Sequence, residues 1–267
     1  MKKLSLKEIK KIEFELLKKF DSFCKENRIR YFLSNGTLLG AVKYGGFIPW
    51  DDDIDVLVPR EDYERLITLF EDDDRYKLFA YERNQKYRYP FAKFCDMTTR
   101  KEELNINNGV DLGIDIDVFP LDVWSNDLRE AKKEARSIRK NMFFLGLTKL
   151  EKADSLHPLK RLVKRAVMVC CKMLGSTHFL KKIVKTSRKR TAGNEQYVGC
   201  KSWCIYGDRE IVPVEVFSTA AELEFCGMTF PVPAGYDTYL RSLYGNYEQD
   251  PPLEKQQTHH NFSAYRL

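Results

Sequence analysis

Two segments of the chain repeat one short pattern in which a carboxylate and an apolar residue alternate. They are Asp53-Ile54-Asp55-Val56 and Asp115-Ile116-Asp117-Val118. Side chains two residues apart lie on the same face of a β-strand, so each segment predicts a strand with two carboxylates on one face and branched apolar residues on the other. If the two strands are neighbours, three or four carboxylates converge at one point. The pattern therefore predicts a sheet at the centre of the fold.

A cluster of carboxylates repels itself unless a cation neutralises it. Hard oxygen ligands at this spacing suit Mg²⁺ or Mn²⁺. Divalent metal held by carboxylates is the usual apparatus of phosphoryl transfer. A single Asp-x-Asp segment is more typical of a solvated strand face, but its repetition favours the metal-dependent interpretation.

A turn upstream of the first segment points the same way. Ser34-Asn35-Gly36-Thr37 lies at a predicted strand-to-helix turn, where backbone N–H groups can bind phosphate. A Gly-Thr turn alone is weak evidence. A strand, a Gly-Thr turn, a helix and then an Asp-x-Asp strand are far more specific in combination.

The rest of the chain mixes helical and strand patterns. A capping box at Ser5 and Glu8 opens a helix to about Asn27. Further strands are predicted at 31–33, 53–58, 76–81, 91–95 and 114–119, the last stopped by Pro120, with helices over 36–42 and from 60 to about 70. A hairpin over 222–230 and a helix over 236–244 follow, and the tail reads as irregular. This order predicts an α/β or α+β catalytic core.

The charge of the chain is unevenly distributed. The net charge is +6, but residues 129–190 alone carry +15 and the remainder −9. Three helices are predicted in this basic block, from 127 to about 150, from 157 to about 175 and from 176 to about 191. Such a block indicates an anionic partner: a membrane surface, a polyanionic polymer or nucleic acid. No nucleic-acid-reading module is recognisable, which makes that partner the weakest of the three.

The cysteine content and the N-terminus predict a cytoplasmic protein. The seven cysteines are odd in number and scattered, which is typical of reduced thiols. The first residues lead directly into charged helical sequence, and no apolar run approaches the length of a membrane span. With the basic helices, this favours a cytoplasmic location with peripheral contact at the inner face of the cell membrane.

One long string carries a resemblance to a known family. Residues 32–55, FLSNGTLLGAVKYGGFIPWDDDID, resemble the LicD family of phosphocholine transferases, which is related to the fukutin-related proteins and to the nucleotidyltransferase superfamily. Shorter pieces match along residues 8–260: Tyr89-Pro90-Phe91-Ala92-Lys93, Ile116-Asp117-Val118-Phe119-Pro120-Leu121-Asp122, Tyr236-Asp237-x-Tyr239-Leu240, Tyr244-Gly245-Asn246-Tyr247, Pro251-Pro252, Glu254-Lys255 and His259-His260. Asn246 stands where the family often has Asp.

The resemblance implies a fold and a domain plan. The expected fold is a nucleotidyltransferase-like (polymerase-beta-like) core with a small mixed sheet flanked by helices. One catalytic unit would span residues 1–267. Its core would cover about 8–125 and C-terminal elements about 195–260, with a basic helical insertion at about 126–192.

The resemblance also implies a reaction. Phosphocholine would move from CDP-choline to a sugar hydroxyl of a teichoic-acid precursor, lipopolysaccharide or another bacterial surface glycan, and CMP would leave. Asp53 and Asp55 would hold Mg²⁺ (or Mn²⁺), and Asp117 would complete the metal site or accept the hydroxyl proton. Asp115 is the less favoured partner, and Gly36 with Thr37 would hold the pyrophosphate.

Four further residues are candidate substrate contacts. Lys93 could neutralise the donor phosphate or be an ordinary surface lysine. Trp50 and Trp124 are candidates for an aromatic cage around the trimethylammonium group, although aromatic residues more often belong to the core. His260 could reach the site from the tail, where the alternative is a solvated residue.

Alternative functions remain open at this point. The donor could be another CDP-alcohol, such as CDP-ribitol or CDP-glycerol, or the reaction could be nucleotidyl transfer to a small molecule. A different class of function is a non-catalytic protein that binds membranes or polyanions through a dead transferase core. The intact set of Gly36, Thr37, Asp53, Asp55 and Asp117 argues against that class.

Overall fold

The computed structural model describes residues 1–154, 157–189, 194–258 and 261–267. The described helices are α1 (Leu6–Asn27), α2 (Asn35–Tyr44), α3 (Arg60–Leu69), α4 (Leu128–Lys149), α5 (Pro158–Leu174), α6 (Ser176–Ser187) and α7 (Tyr236–Tyr244). The described strands are β1 (Lys2–Lys3), β2 (Phe32–Leu33), β3 (Asp55–Pro59), β4 (Tyr76–Phe79), β5 (Ala92–Glu103), β6 (Leu112–Val123), β7 (Tyr197–Gly199), β8 (Val212–Pro213), β9 (Ala220–Phe225), β10 (Met228–Pro233) and β11 (Phe262–Arg266).

A mixed sheet forms the centre of the molecule, as predicted. Its main path runs β1-β11-β5-β6-β3-β2. Strand β4 pairs with the first part of β5, and β7 and β8 extend the sheet from the end of β6. Strand β6 is antiparallel to β5 and parallel to β3. Strands β9 and β10 form a separate hairpin, so the fold is α+β.

The first helix and the central strands supply much of the core. Helix α1 begins with the predicted capping box: Ser5 Oγ accepts from the Glu8 N–H, and the Glu8 side chain accepts from the Ser5 N–H. Its buried face packs on β5 and β6. In β3, Val56, Leu57 and Val58 are all fully buried, which is typical of a strand covered on both faces. All seven cysteines are free thiols, as predicted.

Strand β6 does not stop at Pro120, so that prediction is wrong. The strand continues to Val123, with Pro120 opposite Val58 of β3. Because the Asp117 N–H donates to the Ile54 carbonyl on the β3 side, residues an odd number away, including Pro120, direct their backbone nitrogen to the opposite edge of the strand. On that edge β7 pairs only from Asp122 onward. The pairing with β5 ends at Val118. Pro120 therefore lies between two partner strands, where a missing donor is tolerated.

The C-terminal tail is also more regular than its sequence suggests. Strand β11 pairs with the second half of β5, which extends to Glu103 rather than ending at Cys95. That half of β5 is charged and lacks the alternation that identifies a strand. Backbone pairing with the tail and with β6 holds it extended.

The basic helices differ in how they pack. Asp127 caps α4 by accepting from the Arg129 N–H at 2.8 Å. Helix α6 packs against α4 through Phe179, Leu180 and Ile183, which are buried. It begins after Gly175 rather than at a Ser or Thr cap and ends at Ser187. Within the described residues, no helix is both long enough and apolar enough to span a membrane.

Candidate active site

The two carboxylate segments meet in the sheet. Strand β3 begins at Asp55, which lies opposite Asp117 of β6 in the parallel register. The Asp117 N–H donates to the Ile54 carbonyl at 2.8 Å, and the Ser34 N–H donates to the Asp55 carbonyl at 3.0 Å. Asp53 precedes the strand rather than lying within it and is half-buried. The two segments are therefore neighbours in the sheet, with Asp55 opposite Asp117 and Asp53 just before the strand.

Thr37 fixes the backbone at the start of β3. Its Oγ1 accepts a hydrogen bond from the Asp55 N–H at 2.8 Å, and its side chain is buried. The hydroxyl therefore acts on the chain that carries Asp55. The role predicted for this turn in phosphate binding would fall to backbone N–H groups, since the first N–H groups of a helix lack intrahelical partners.

The N-terminus of α2 adjoins the carboxylates. Ser34, its cap residue, is fully buried, and its Oγ makes no hydrogen bond with any described residue. Asn35 adopts a left-handed backbone conformation with φ of 45°, and its side chain accepts from the Tyr239 hydroxyl at 2.9 Å. A Cβ on Gly36 would lie 2.7 Å from Oδ2 of Asp51. Glycine thus allows a carboxylate to approach the helix N-terminus closely.

Burial and the neighbouring carboxylates together perturb the pKa of Asp55. Burial raises its pKa well above the usual range, and the charges of Asp53, Asp117 and Asp51 raise it further, against a hydrogen bond with Asn35 that lowers it. A buried carboxylate beside like charges is a site where an added cation would be strongly stabilised.

Lys93 is not a surface residue; it is buried beside the carboxylates. It lies opposite Asp117 in the β5–β6 register, and its Nζ forms a salt bridge with Asp117 Oδ1. The same Nζ lies 3.3 Å from Asp115 Oδ2, and Lys101 Nζ lies 2.8 Å from Asp115 Oδ1. Burial lowers the pKa of Lys93, but the two carboxylates outweigh it and hold the pKa well above its usual value. Lys93 is therefore a fixed internal cation.

The two carboxylates of β6 consequently differ. Burial raises the pKa of Asp115, but the charges of Lys101 and Lys93 reverse this and leave it lowered. Burial also raises the pKa of Asp117. The charge of Lys93 lowers it only in part, so the pKa stays above its usual value. The Asp117 side chain keeps 19% of its surface exposed, against 3% for Asp115. Asp117 thus faces the open side of the cluster, while Asp115 anchors the two lysines.

The donor set fits a divalent cation by its chemistry. Asp53, Asp55 and Asp117 offer carboxylate oxygens, which Mg²⁺ prefers, and their mutual repulsion raises the pKa of Asp55. In the part of the chain that the structure describes, no group of three or more His, Cys, Asp or Glu side chains is close enough to hold a metal as it stands. The metal site therefore stays a prediction.

Sequence reasoning missed one carboxylate near this cluster. Glu13 of α1 is 1% exposed, and its Oε2 has no hydrogen-bond partner among the described residues. Burial raises its pKa well above the usual range; the charge of Lys101 opposes this, and those of Asp53 and Asp115 add to it. The available signal was its position, four residues after Ile9 and next to Ile12, on the apolar face of α1.

Two tyrosines also approach the site from the C-terminal part of the chain. The hydroxyl groups of Tyr206 and Tyr244 are 3.1 Å apart, and their rings meet edge to face at 5.3 Å. Burial raises the pKa of Tyr206 to about 12, and the charges of Asp55 and Asp53 contribute to the increase. The match around Tyr244 in the sequence thus corresponds to an element beside the carboxylates.

The candidate aromatic contacts separate in the structure. Trp50 is half-buried, and its ring meets that of Tyr44 at 6.3 Å. Trp124 is fully buried, and its Nε1–H donates to the Glu210 carbonyl at 3.2 Å. Trp124 therefore belongs to the core, where a bound headgroup would have no access to it, and we no longer include it among the substrate contacts. His260 lies outside the described residues.

Comparisons with known proteins place this part of the chain among its relatives. The family model described as LicD/FKTN/FKRP, nucleotidyltransferase domain, matches residues 28–144, which contain Asp53, Asp55, Lys93 and Asp117. The chain is 29% identical over 274 aligned positions to the lipopolysaccharide cholinephosphotransferase LicD of Haemophilus influenzae, and the match covers 100% of both chains. An uncharacterized protein of Rickettsia prowazekii is 46% identical over 49 residues, which is 18% of each chain.

Proposed function

We propose that the chain, which matches the LicD family model over residues 28–144 and a LicD relative along its whole length, transfers phosphocholine from CDP-choline to a sugar hydroxyl of lipopolysaccharide or a related bacterial surface glycan. The observation that carries the proposal is the pairing of Asp55 and Asp117 across β3 and β6, with Lys93 fixed beside Asp117. The full-length similarity to a cholinephosphotransferase supports the transferred group and the class of acceptor.

The proposed reaction is one displacement at phosphorus. The acceptor hydroxyl oxygen attacks the phosphorus that carries choline, and a new P–O bond forms. The bond from that phosphorus to the oxygen shared with CMP breaks, and CMP leaves with the electron pair. The hydroxyl proton passes to a carboxylate. Positioning and charge neutralisation supply most of the rate enhancement in this chemistry.

Asp53, Asp55 and Asp117 would hold the Mg²⁺ or Mn²⁺ ion, which when bound supplies positive charge to the phosphate oxygens. The raised pKa of Asp55 supports this assignment, because a cation at the cluster relieves the repulsion. Asp117 would serve either as the third ligand or, with the ion held by Asp53 and Asp55 alone, as the acceptor of the hydroxyl proton, since its side chain is the more exposed carboxylate of β6. The salt bridge from Lys93 holds that carboxylate in place.

The phosphates and the headgroup would be bound by different elements. The N-terminal N–H groups of α2, at Gly36 and Thr37, suit the pyrophosphate. Lys93 is engaged by Asp115 and Asp117, so we assign it to positioning Asp117 rather than to the phosphate. Trp50 stays a candidate for the trimethylammonium group.

A calorimetric titration would test the donor. The purified chain is titrated with CDP-choline, CDP-ribitol, CDP-glycerol and CTP, each with and without Mg²⁺. We expect tightest binding of CDP-choline and a clear loss without the metal. Asp55→Asn should weaken metal-dependent binding, whereas the matched control Asp74→Asn, an exposed carboxylate outside the site, should not.

Each other outcome changes the proposal in a defined way. Preference for another CDP-alcohol would retain the mechanism and replace choline as the transferred alcohol. Preference for CTP would favour nucleotidyl transfer, the activity implied by the description of the matching family model. Failure of all four nucleotides to bind would overturn the proposal and favour a non-catalytic core. If CDP-choline binds as expected, release of CMP on adding a lipopolysaccharide fraction tests the acceptor.

A further inference from the structure

Helix α5 turns its apolar side away from the protein. Only Met168 and Cys171 of this helix are buried. Six of its apolar side chains are between 51% and 76% exposed: Leu159, Leu162, Val163, Val169, Met173 and Leu174. A helix that packs on a core ordinarily shows the reverse arrangement.

These residues form one continuous stripe. Counting from Leu159, they recur three, four, ten, fourteen and fifteen positions later, and the exposed Ala166 and Cys170 lie between them at seven and eleven, which places all of these residues on one helical face. The stripe continues onto α4, where Phe143 is 63% exposed. Between the two helices lies a cleft of about 630 Å³ that is lined mainly by apolar side chains of α4 and α5. This apolar surface, from Phe143 across α5 to Leu174, is here called the α5 face.

Basic residues border the α5 face on both sides. Helix α5 carries five Lys or Arg residues, at 160, 161, 164, 165 and 172, and residues 155–189 contain no Asp or Glu. An exposed apolar stripe between basic flanks is the arrangement of helices that lie in a membrane interface. The basic flanks are then close to anionic headgroups, which attract them.

We propose that the α5 face lies in the headgroup region of an anionic lipid bilayer, with its apolar stripe toward the acyl chains. A second copy of the chain is a poorer partner, because pairing two α5 faces would bring their basic flanks together without acidic residues from α5 or α6 to neutralise them. A soluble polyanion would neutralise the flanks but leave the stripe in water. This proposal does not depend on the transfer reaction.

The structure distinguishes the two basic helices, which the sequence analysis treated alike as candidates for membrane contact. Phe179, Leu180 and Ile183 of α6 face α4 and are buried. Arg188, just after α6, forms salt bridges with Glu82 and Glu64. Lys181 and Lys182 are exposed, but no exposed apolar stripe accompanies them. Contact through α6 would therefore be electrostatic alone.

Two native thiols allow a direct test. Cys170 lies in the α5 stripe and Cys226 lies at the turn of the β9–β10 hairpin, and both are exposed. Cys226→Ser leaves Cys170 as the exposed thiol, and Cys170→Ser leaves Cys226. Each variant of the full chain is labelled with an environment-sensitive fluorophore and mixed with vesicles of phosphatidylglycerol and phosphatidylcholine, or of phosphatidylcholine alone. We expect a blue shift only for the Cys170 label, and only with the anionic vesicles.

Substitutions in the stripe provide the second measurement. Leu162→Ser with Met173→Ser should weaken sedimentation with anionic vesicles by about tenfold or more, because two exposed apolar side chains are lost from the interface. Leu69→Ser with Leu253→Ser is the matched control, since both leucines are exposed outside the α5 face. Circular dichroism checks that helicity is unchanged, and nucleotide titration without vesicles should be unaffected by either pair.

Three results would overturn the proposal. Vesicle binding that leaves the Cys170 label unshifted and is abolished by soluble polyphosphate would indicate a polyanion surface. A dimer in sedimentation velocity that Leu162→Ser with Met173→Ser dissociates would indicate a second copy of the chain. Absence of binding to anionic vesicles would exclude membrane contact. Since nucleotide binding is measured without lipid, none of these results bears on the proposed reaction.

Discussion

The carboxylate cluster of the sheet and the basic helices use charge in opposite ways. Asp55, Asp115 and Lys93 are buried within the sheet, and Lys93 Nζ lies 3.3 Å from Asp115 Oδ2. The lysines and arginines of α5 are in most cases exposed to water. Buried charges interact strongly and perturb each other's pKa, whereas exposed charges are screened by solvent and salt. The first arrangement suits chemistry at a defined atom, and the second suits attraction to an extended surface.

The largest expected effect is the removal of one buried charge at the site. Asp55→Asn should reduce phosphocholine transfer about a thousandfold, since the carboxylate that completes the cation site is lost. Because the substitution also removes a repelled buried charge, the melting temperature should be unchanged or higher. CMP release and thermal unfolding measure the two effects.

A variant that loses activity by unfolding would contradict the assignment of Asp55 to the chemistry. Asp74→Asn serves as the control, and it should retain both activity and stability. Equal loss of transfer in both variants would show that a general change of charge is responsible.

Removing the internal cation should affect the fold more than removing a carboxylate. Lys93→Met leaves Asp117 without its salt bridge and Asp115 with one lysine partner instead of two. We expect the free energy of unfolding to fall by about 3 kcal/mol, the usual order for breaking a buried ion pair. Urea denaturation measures it, and adding Asp117→Asn should restore part of the loss. Unchanged stability would show that Lys93 does not hold the cluster together.

A buried carboxylate outside the site shows how burial raises a pKa without repulsion from neighbouring carboxylates. Glu210 is 1% exposed, and burial raises its pKa to about 8, although backbone N–H donors at Tyr206 and Cys200 oppose the shift. The unfolded chain ionises this group near pH 4.5, so its contribution makes the folded state less stable as the pH rises from about 4.5 to 8. Below that range both states are protonated.

Glu210→Gln should remove this pH dependence. We expect the variant to be more stable than the unmodified chain at pH 8, and the difference to shrink toward zero as the pH is lowered to 4.5. Urea denaturation at the two pH values measures the difference. A constant difference between the two proteins at both values would contradict a titrating Glu210.

The smallest effect is expected in the basic helices. Lys181→Gln with Lys182→Gln should change the free energy of unfolding by less than about 0.5 kcal/mol, because both residues are exposed. The pair also shows how much of vesicle binding depends on basic charge alone. Binding should decrease less than after substitution of the apolar stripe of the α5 face. A large loss of stability would show that the charges of α6 contribute to the fold.

Most secondary structure could be predicted because its signals are local. The capping box of α1, the cap of α4 at Asp127 and the end of α7 before Gly245 agree with the structure. Strand β11 could not be predicted, because its partner is the charged half of β5, far away in the sequence. The continuation of β6 past Pro120 depends on which neighbouring strands end there.

The candidate site could likewise be predicted only where its signals are local. The sequence by itself predicted that Asp55 and Asp117 lie on strands and that alternate carboxylates share a strand face, because alternation fixes the face of a strand over a few residues, and the structure pairs these two residues across β3 and β6. It also determined that the basic charge is concentrated in one helical block.

Only the tertiary structure decided which of these groups face one another. The β5–β6 register joins Lys93 to Asp117, and the same fold buries Glu13 and Trp124. It also turns the apolar stripe of α5 outward. Periodicity identifies an apolar face but not the element that covers it, and a charged residue shows its partner only when strands distant in sequence are brought into register. The long-range pairing of the chain therefore sets both the electrostatics of the cluster and the exposed α5 face.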